Sequence, residues 1–170
     1  MADRLFSALL KYWRARRGLT QLDLALAADV VIAARSAYFY LPFMPKLGIV
    51  PDMGSSWFIP RLLGAARATA LTLLGERLSA EDAAQAGLIW RCVDDAALPA
   101  EARATAQRLA ALPAHAALET RRCLDLAATS TLEQQLAYEA ARQRELLDRP
   151  EFEEGVAAFV AKREPVYRPR

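Results

Sequence analysis

Residues 46–64 read KLGIVPDMGSSWFIPRLLG, and this stretch decides the fold prediction. Its first half is rich in glycine and proline, which interrupt regular structure, so an irregular segment is predicted over 42–54. Asp52 is the one carboxylate of that segment and lies in its final turn. From Ser55 onward apolar residues recur at helical spacing, which predicts a helix through Trp57 that begins directly after the turn.

The flanking sequence predicts an α/β arrangement around this segment. Upstream, residues 30–34 form a continuous apolar run (VVIAA) that is typical of a strand buried on both faces, and 38–40 continue in extended form. Downstream, we expect a helix over 65–74, a helix capped by Ser79, and a short strand within 88–93. Beyond Pro99 the chain is alanine-rich and amphipathic, with helix breaks predicted near Pro113, near Ser130-Thr131 and near Pro150.

Composition excludes several classes of protein. The 170 residues are 54% hydrophobic and 25% charged, with a net charge of +2, which favours one globular domain over a disordered tail or a nucleic-acid coat. Cys92 and Cys123 lie far apart and the chain has one histidine, so neither a disulfide framework nor a zinc site is predicted. Without a leader or a bilayer-length apolar stretch, the chain is expected to be cytoplasmic, with no membrane partner.

Four segments carry a resemblance to a known family. Residues 46–64, and in particular the VPD and WFxPR elements, resemble the signature of the crotonase superfamily of enoyl-CoA hydratases and isomerases, in the form of the ring-epoxide isomerases of phenylacetyl-CoA catabolism. Residues 28–37, 78–88 and 154–163 agree with the same family in order and spacing. The resemblance covers about four fifths of the chain and concerns the carboxyl-terminal half of the family.

The resemblance implies an α/β fold in three parts. Residues 30–95 would form a truncated crotonase-like spiral core, and 96–170 the α-helical subdomain with which the family builds trimers. Residues 1–29 do not match. Within them, 9–25 resemble the first two helices of repressor-like helix-turn-helix regulators, but an apolar β-prone run replaces the recognition helix, so no sequence-specific DNA binding is predicted.

Asp52 is the candidate catalytic residue. A carboxylate among apolar groups has a raised pKa and can move protons next to a thioester, and by resemblance Asp52 is the proton shuttle of the family. We expect it in a loop ahead of the helix that contains Trp57, partly buried and facing a cleft. The alternative is a turn aspartate that caps this helix.

Other candidate residues carry weaker signals. By resemblance, Phe159 and Lys162 belong to the terminal helix that packs near the acyl-CoA and places a cation by its phosphates; the alternative for Lys162 is a solvated helix face. His115 is interpreted as a structural histidine. Ser55 and Ser56 lack the elbow motif of a nucleophile.

The predicted function is isomerisation or hydration of an unsaturated acyl-CoA, with the thioester as substrate and with no cofactor and no metal. In the family, two backbone N–H groups that bind the thioester oxygen belong to loops ahead of the strand at 30–34, and neither donor can be located here. Activity is therefore expected to be impaired. The alternatives are a non-catalytic oligomerising or vestigial fragment, with trimer-type self-association, and a helix-turn-helix regulator.

Overall fold

The computed structural model describes residues 28–52 and 54–167, and the partial helix-turn-helix resemblance therefore lies outside the described residues. The chain divides into two compact units, Met1–Ala102 and Arg103–Arg170. The first unit contains the described strands and the stretch that carries Asp52. The second unit is helical.

A parallel pair of strands lies in the first unit. Strand β1 (Ile32–Ala34) pairs with β4 (Arg91–Val93), with Ile32 opposite Arg91 and Ala34 opposite Val93. The prediction of a strand in 30–34 is confirmed, but its burial on both faces is wrong: the residues of β1 are half-buried. The physical reason is that β4 is the only strand among the described residues that pairs with β1.

Polar contacts fasten the end of β1 to its surroundings. The guanidinium of Arg35 donates to Glu81 at 2.6 Å and to Asp94 at 2.9 Å. The backbone N–H of Ser36 donates to Asp95 at 3.0 Å, and its hydroxyl donates to the same carboxylate. These bonds from Ser36 lower the pKa of Asp95. The turn after β1 is thereby held against both the helix that contains Glu81 and the turn after β4.

The apolar core of the first unit lies beside a second, antiparallel strand pair. Strand β2 (Tyr38–Phe39) pairs with β3 (Leu78–Ser79). Leu41, which follows β2, is fully buried at 0% exposure. It packs in a cluster with Phe39 of β2 and with residues of helices α1 (Ser55–Leu63), α2 (Ala65–Leu74) and α3 (Ala80–Gln85) and of the loop after α3: Ile59, Leu63, Ala68, Leu71, Ala83, Leu88 and Ile89.

The stretch predicted to be irregular contains one ordered element. Phe43–Leu47 forms a wide π-helical turn that ends at Gly48, which has a left-handed backbone with φ 66°. This turn packs against the end of α2 at Gly75, where φ is 62°. A Cβ on Gly75 would lie 2.3 Å from Cγ of Pro45. Only glycine allows both the backbone conformation and this close approach, so Gly75 braces the turn that leads toward Asp52.

The second unit contains consecutive helices: α4 (Leu98–Ala110) reaches it from the first unit, followed by α5 (Ala114–Ala127), α6 (Leu132–Leu147) and α7 (Pro150–Val160). The breaks predicted near Pro113, Ser130-Thr131 and Pro150 are confirmed. Thr131 and Gln134 form a reciprocal capping box at the start of α6, as their spacing predicts.

A buried carboxylate joins α5 to α6. Glu119, which is buried, accepts from the Tyr138 hydroxyl at 3.0 Å and from the guanidinium of Arg122. Burial alone would raise the pKa of Glu119, but these hydrogen bonds outweigh it and the pKa is lowered. Burial and the bond to Glu119 together raise the pKa of Tyr138. At neutral pH Glu119 is therefore ionised and Tyr138 is protonated, and the hydrogen bond between them is kept.

Candidate functional site

Asp52 lies where the sequence places it, in the loop ahead of α1. Gly54 is the N-cap of α1 and has a positive φ of 80°. Its carbonyl accepts from the N–H groups of Trp57 at 2.8 Å and Phe58 at 2.9 Å. A Cβ on Gly54 would lie 3.1 Å from the Phe58 ring. The positive φ and this close contact favour glycine, which sets the direction in which the chain leaves Asp52.

The carboxylate of Asp52 does not cap α1. The helix has no side-chain cap bond, and the backbone carbonyl of Asp52, rather than its carboxylate, accepts from the Ser55 N–H at 2.9 Å. Among the described residues no hydrogen bond or ion pair engages the carboxylate. The alternative of a capping aspartate is therefore not what this geometry shows, and the carboxylate is left available for chemistry.

The predicted partial burial of Asp52 is wrong for this chain. Its side chain is exposed, and so are the apolar residues before it, Leu47, Ile49 and Val50, the last at 80% exposure. These apolar residues would give the carboxylate low-polarity surroundings only if something covered them. Nothing within residues 28–52 and 54–167 covers this apolar stretch.

Trp57 and Arg61 form a stacked pair one turn into α1. The Arg61 guanidinium lies 3.9 Å from the centre of the Trp57 ring and donates to the Trp57 carbonyl at 2.9 Å. Phe58 meets the same indole edge-on at 4.7 Å between ring centres. The sequence interpretation missed this stack, although the spacing of four residues on one helix was a sufficient signal for it. Ser55 lies two residues before Trp57 at the start of α1. Its hydroxyl is buried and has no hydrogen-bond partner among the described residues.

Phe159 and Lys162 lie together at the end of α7, in the second unit. The Phe159 side chain is 85% exposed. Lys162 has φ 51°, its N–H donates to the Phe159 carbonyl at 3.2 Å, and the Arg163 N–H donates to the Ala158 carbonyl at 3.0 Å. This pair of bonds is the Schellman ending of a helix, in which glycine usually occupies the position that Lys162 has here. A lysine with left-handed backbone is strained, and such strain is a reason to look for a function.

A second set of contacts holds the chain after Lys162. The Arg163 guanidinium donates to both carboxylate oxygens of Glu154, at 2.7 and 2.9 Å, and the Val166 N–H donates to the same carboxylate at 2.7 Å. Arg163 first and the Val166 N–H second lower the pKa of Glu154 from 4.5 to about 2. This clamp fixes the direction of the chain that follows α7.

The clamp predicts a pH dependence. Because the pKa of Glu154 is lower in the folded chain, its stabilising effect is complete above pH 4.5 and is lost as pH falls from 4.5 toward 2. Carbon-detected NMR titration of the glutamate carboxyls should give a midpoint for Glu154 near 2. In Arg163→Gln the midpoint should rise toward the ordinary value. A midpoint near 4.5 in the unchanged chain would show that the clamp does not form in solution.

Helices α5, α6 and α7 line an open, mainly apolar pocket of about 390 Å³. Phe159 lines it with Leu146, Phe152, Val156 and Tyr167. His115 also lines it, and its Nε2 lies 3.1 Å from a Glu145 carboxylate oxygen that belongs to α6. The interpretation of His115 as a structural histidine stays a prediction. Tyr167 was not singled out from the sequence, which gives no signal that it returns to α7.

The described part of the chain contains no cluster of three or more histidine, cysteine, aspartate or glutamate residues that could hold a metal ion. Over the same ranges, no helix is both long enough and apolar enough to cross a bilayer. Cys92 and Cys123 are both free thiols.

Comparison with known proteins identifies the family. The family model described as enoyl-CoA hydratase/isomerase matches residues 21–170. The 1,2-epoxyphenylacetyl-CoA isomerase of Escherichia coli is 45% identical over 144 residues, which is 85% of this chain and 55% of that protein. The chain thus spans little more than half the length of this relative.

Solved structures agree with the sequence comparison. An enoyl-CoA hydratase from Polaromonas sp. superimposes with a TM-score of 0.81 at 36% identity, over 86% of this chain and 57% of the other. An enoyl-CoA hydratase from Bacillus anthracis gives a TM-score of 0.79 at 31% identity, over 86% and 56%. The predicted crotonase-like α/β fold is confirmed. With its signature segment, its fold and its relatives in agreement, the chain belongs to the enoyl-CoA hydratase/isomerase family.

Proposed function

We propose that this chain supplies the acid/base half of an acyl-CoA isomerase or hydratase site, with Asp52 as the proton shuttle. The substrate class is an unsaturated or ring-epoxide acyl-CoA, as the name of the Escherichia coli relative suggests. The thioester itself makes the adjacent carbon acidic, so the proposed chemistry requires no cofactor. The reaction is a proton transfer between carbon atoms, or addition of water, carried out on the bound thioester in the cytoplasm.

The observation that carries this proposal is the unengaged carboxylate of Asp52 in the family's signature loop. It neither caps α1 nor forms an ion pair with any described residue, and Gly54 and the braced turn at Phe43–Leu47 determine its place. Leu47, Ile49 and Val50, the exposed apolar residues before Asp52, would line one side of a site that is closed to solvent.

The test of the proposal is a fusion protein. The segment of the Escherichia coli isomerase that precedes its match to this chain would be joined ahead of residue 28, which restores the length of the relative. We expect this fusion to convert crotonyl-CoA, a 3-enoyl-CoA or the ring-epoxide thioester, measured by absorbance and by product chromatography. A folded, trimer-sized fusion that turns over none of these would refute the proposal.

The 170-residue chain by itself should be nearly inactive. Removing one oxyanion donor costs about 10²–10³ in rate, and by resemblance both family donors belong to loops that this chain does not match. Steady-state assays with the same thioesters should therefore give rates far below those of the Escherichia coli isomerase, and Asp52→Asn should change them little. A turnover number in the ordinary range of roughly 1–10³ per second, abolished by Asp52→Asn, would contradict this expectation.

Lys162 is proposed to contact the phosphates of coenzyme A, with Phe159 beside it. Because Lys162 has a left-handed backbone, its replacement by glycine is expected to raise the stability of the fold and to lower the affinity for CoA. Lys162→Gly should stabilise the fusion by about 1 kcal/mol, because glycine adopts this backbone without strain. It should also weaken CoA binding by a few fold, the range of an exposed ion pair.

The control for Lys162→Gly is Lys162→Ala, which removes the charge and keeps the strain. Calorimetric titration with CoA should show the same loss of affinity in both variants, whereas urea unfolding should show the gain in stability only with glycine. Unchanged affinity in both variants would leave Lys162 a solvated residue with no part in CoA binding.

A second candidate function is self-association without catalysis. Leu124, Leu132 and Leu136, on α5 and α6, have largely exposed side chains. Trimer-type assembly through these helices would bury them, and light scattering of the 170-residue chain would then give a mass above that of a monomer. The helix-turn-helix alternative concerns residues outside those described, and no observation favours it.

A further inference from the structure

Ser55 has a buried hydroxyl that the proposed chemistry does not use. Its side chain is 1% exposed, and its Oγ has no hydrogen-bond partner among the described residues. Glu119, the other buried polar residue within 28–52 and 54–167, has both carboxylate oxygens hydrogen-bonded. A buried polar group without a partner destabilises a fold, so the hydroxyl of Ser55 calls for a physical reason.

The local structure gives no reason for a serine at this position. Ser55 is the first residue of α1, and this helix has no side-chain cap bond. Ile59 and Leu63, the other buried residues of α1, are both apolar. Alanine is a better helix former than serine and would bury no hydroxyl there. Serine is therefore the less stable choice for the fold, which points to a functional constraint.

Ser55 and Asp52 are the two ends of one tight turn. The Ser55 N–H donates to the Asp52 carbonyl at 2.9 Å, and Gly54 has φ 80° and ψ 3°, the values of the third position of a type II turn. The Cα atoms at the ends of such a turn lie within about 7 Å of each other. Rotation about the Cα–Cβ bond of Asp52 can therefore turn its carboxylate toward the Ser55 hydroxyl while the backbone keeps its place.

In the structure the two side chains point to different surroundings, since Asp52 is exposed and Ser55 is buried. Water competes for the exposed carboxylate, and a substrate bound over the loop would remove this competition. The Ser55 hydroxyl is already shielded from water, so a bond from it requires no further desolvation of the donor. A hydrogen bond to an ionised carboxylate is also stronger in a site that is closed to solvent.

We propose that Ser55 is a positioning residue for Asp52. Its hydroxyl donates to one carboxylate oxygen of Asp52 when substrate covers the loop, and the other carboxylate oxygen then moves the proton. This role rests on the proposed function, because it concerns the orientation of the same carboxylate. Ser56, the exposed neighbour of Ser55, has no such role and serves as the matched control.

The first measurement is the stability of the full 170-residue chain. Ser55→Ala should raise the midpoint of urea unfolding, because it removes a buried hydroxyl that has no hydrogen bond to lose. Ser56→Ala brings the same gain in helix propensity at an exposed position, so its midpoint should rise less. A lower midpoint for Ser55→Ala would show that the hydroxyl has a structural partner in solution, and would overturn the role.

The second measurement is turnover by the fusion protein described above. Ser55→Ala should lower kcat by about 10–10²-fold, the contribution of one hydrogen bond to a charged group, and should leave KM unchanged. Ser56→Ala should leave both constants unchanged. A variant that is more stable and yet slower cannot owe its slower turnover to a general loss of structure.

A double-mutant cycle connects the effect of Ser55→Ala to Asp52. In the Asp52→Asn background the charge-assisted bond no longer exists, so adding Ser55→Ala should have little further effect on kcat. A loss of the same size in both backgrounds would overturn the role, and so would a parent-like kcat for Ser55→Ala in an active fusion. Either result leaves the proposed function standing, whereas an inactive parent fusion would refute the proposed function and this role together.

Discussion

Asp52→Asn in the fusion protein is expected to lower kcat by about 10²–10⁴, the range that positioned proton transfer contributes. The asparagine amide keeps the size and shape of the carboxylate but can neither accept nor return a proton. Because the carboxylate has no structural hydrogen bond among the described residues, the fold should be unaffected. Burst and steady-state assays with crotonyl-CoA and a 3-enoyl-CoA would measure the change.

The matched control for this substitution is Asp95→Asn. Asp95 is a carboxylate of the same unit whose bonds to Ser36 are structural. Its loss should lower stability while leaving kcat of the folded fusion near that of the parent. Equal losses of kcat in the two variants would mean that Asp52 acts through the fold. An Asp52→Asn fusion with the kcat of the parent would mean that Asp52 takes no part in the reaction.

Leu41→Ala is expected to have the largest effect on stability, about 2–5 kcal/mol of the free energy of unfolding. Leu41 is at 0% exposure in the core of the first unit, between β2 and the turn at Phe43–Leu47. Truncating it removes apolar contacts and leaves a cavity that the surrounding helices cannot fill. The turn ahead of Asp52 would loosen as a consequence.

Urea unfolding followed by tryptophan fluorescence would measure this cost, since all three tryptophans of the sequence lie within residues 1–102. Leu47→Ala is the control, because its side chain is 62% exposed and its truncation should change stability by at most about 0.5 kcal/mol. Equal costs at the two positions would mean that Leu41 is not a core residue in solution.

Local signals in the sequence predicted most of the helices. The capping box at Thr131 and Gln134, the Ser79 cap and the stop at Gly75 each depend on residues within a few positions, and each is confirmed. The breaks near Pro113 and Pro150 were predicted equally well, although proline does not end every helix, since Pro60 lies inside α1. The family was identifiable for a related reason: its signature is one continuous segment.

Features that depend on distant neighbours were predicted less well. The apolar run at 30–34 predicted a strand buried on both faces, but its burial depends on strands that the described residues do not contain. The left-handed backbone of Lys162 gave no signal, since glycine is the residue expected there.

The contact between Gly75 and Pro45 has a consequence for anyone who diversifies this loop by directed evolution. Positions 45 and 75 lie thirty residues apart and still cannot vary independently, since any side chain on residue 75 meets the ring of residue 45. Their substitutions should be epistatic, with a combined free energy that differs from the sum of the single changes. A library over residues 43–52 should therefore keep glycine at position 75, because a side chain there would displace the loop that leads to Asp52.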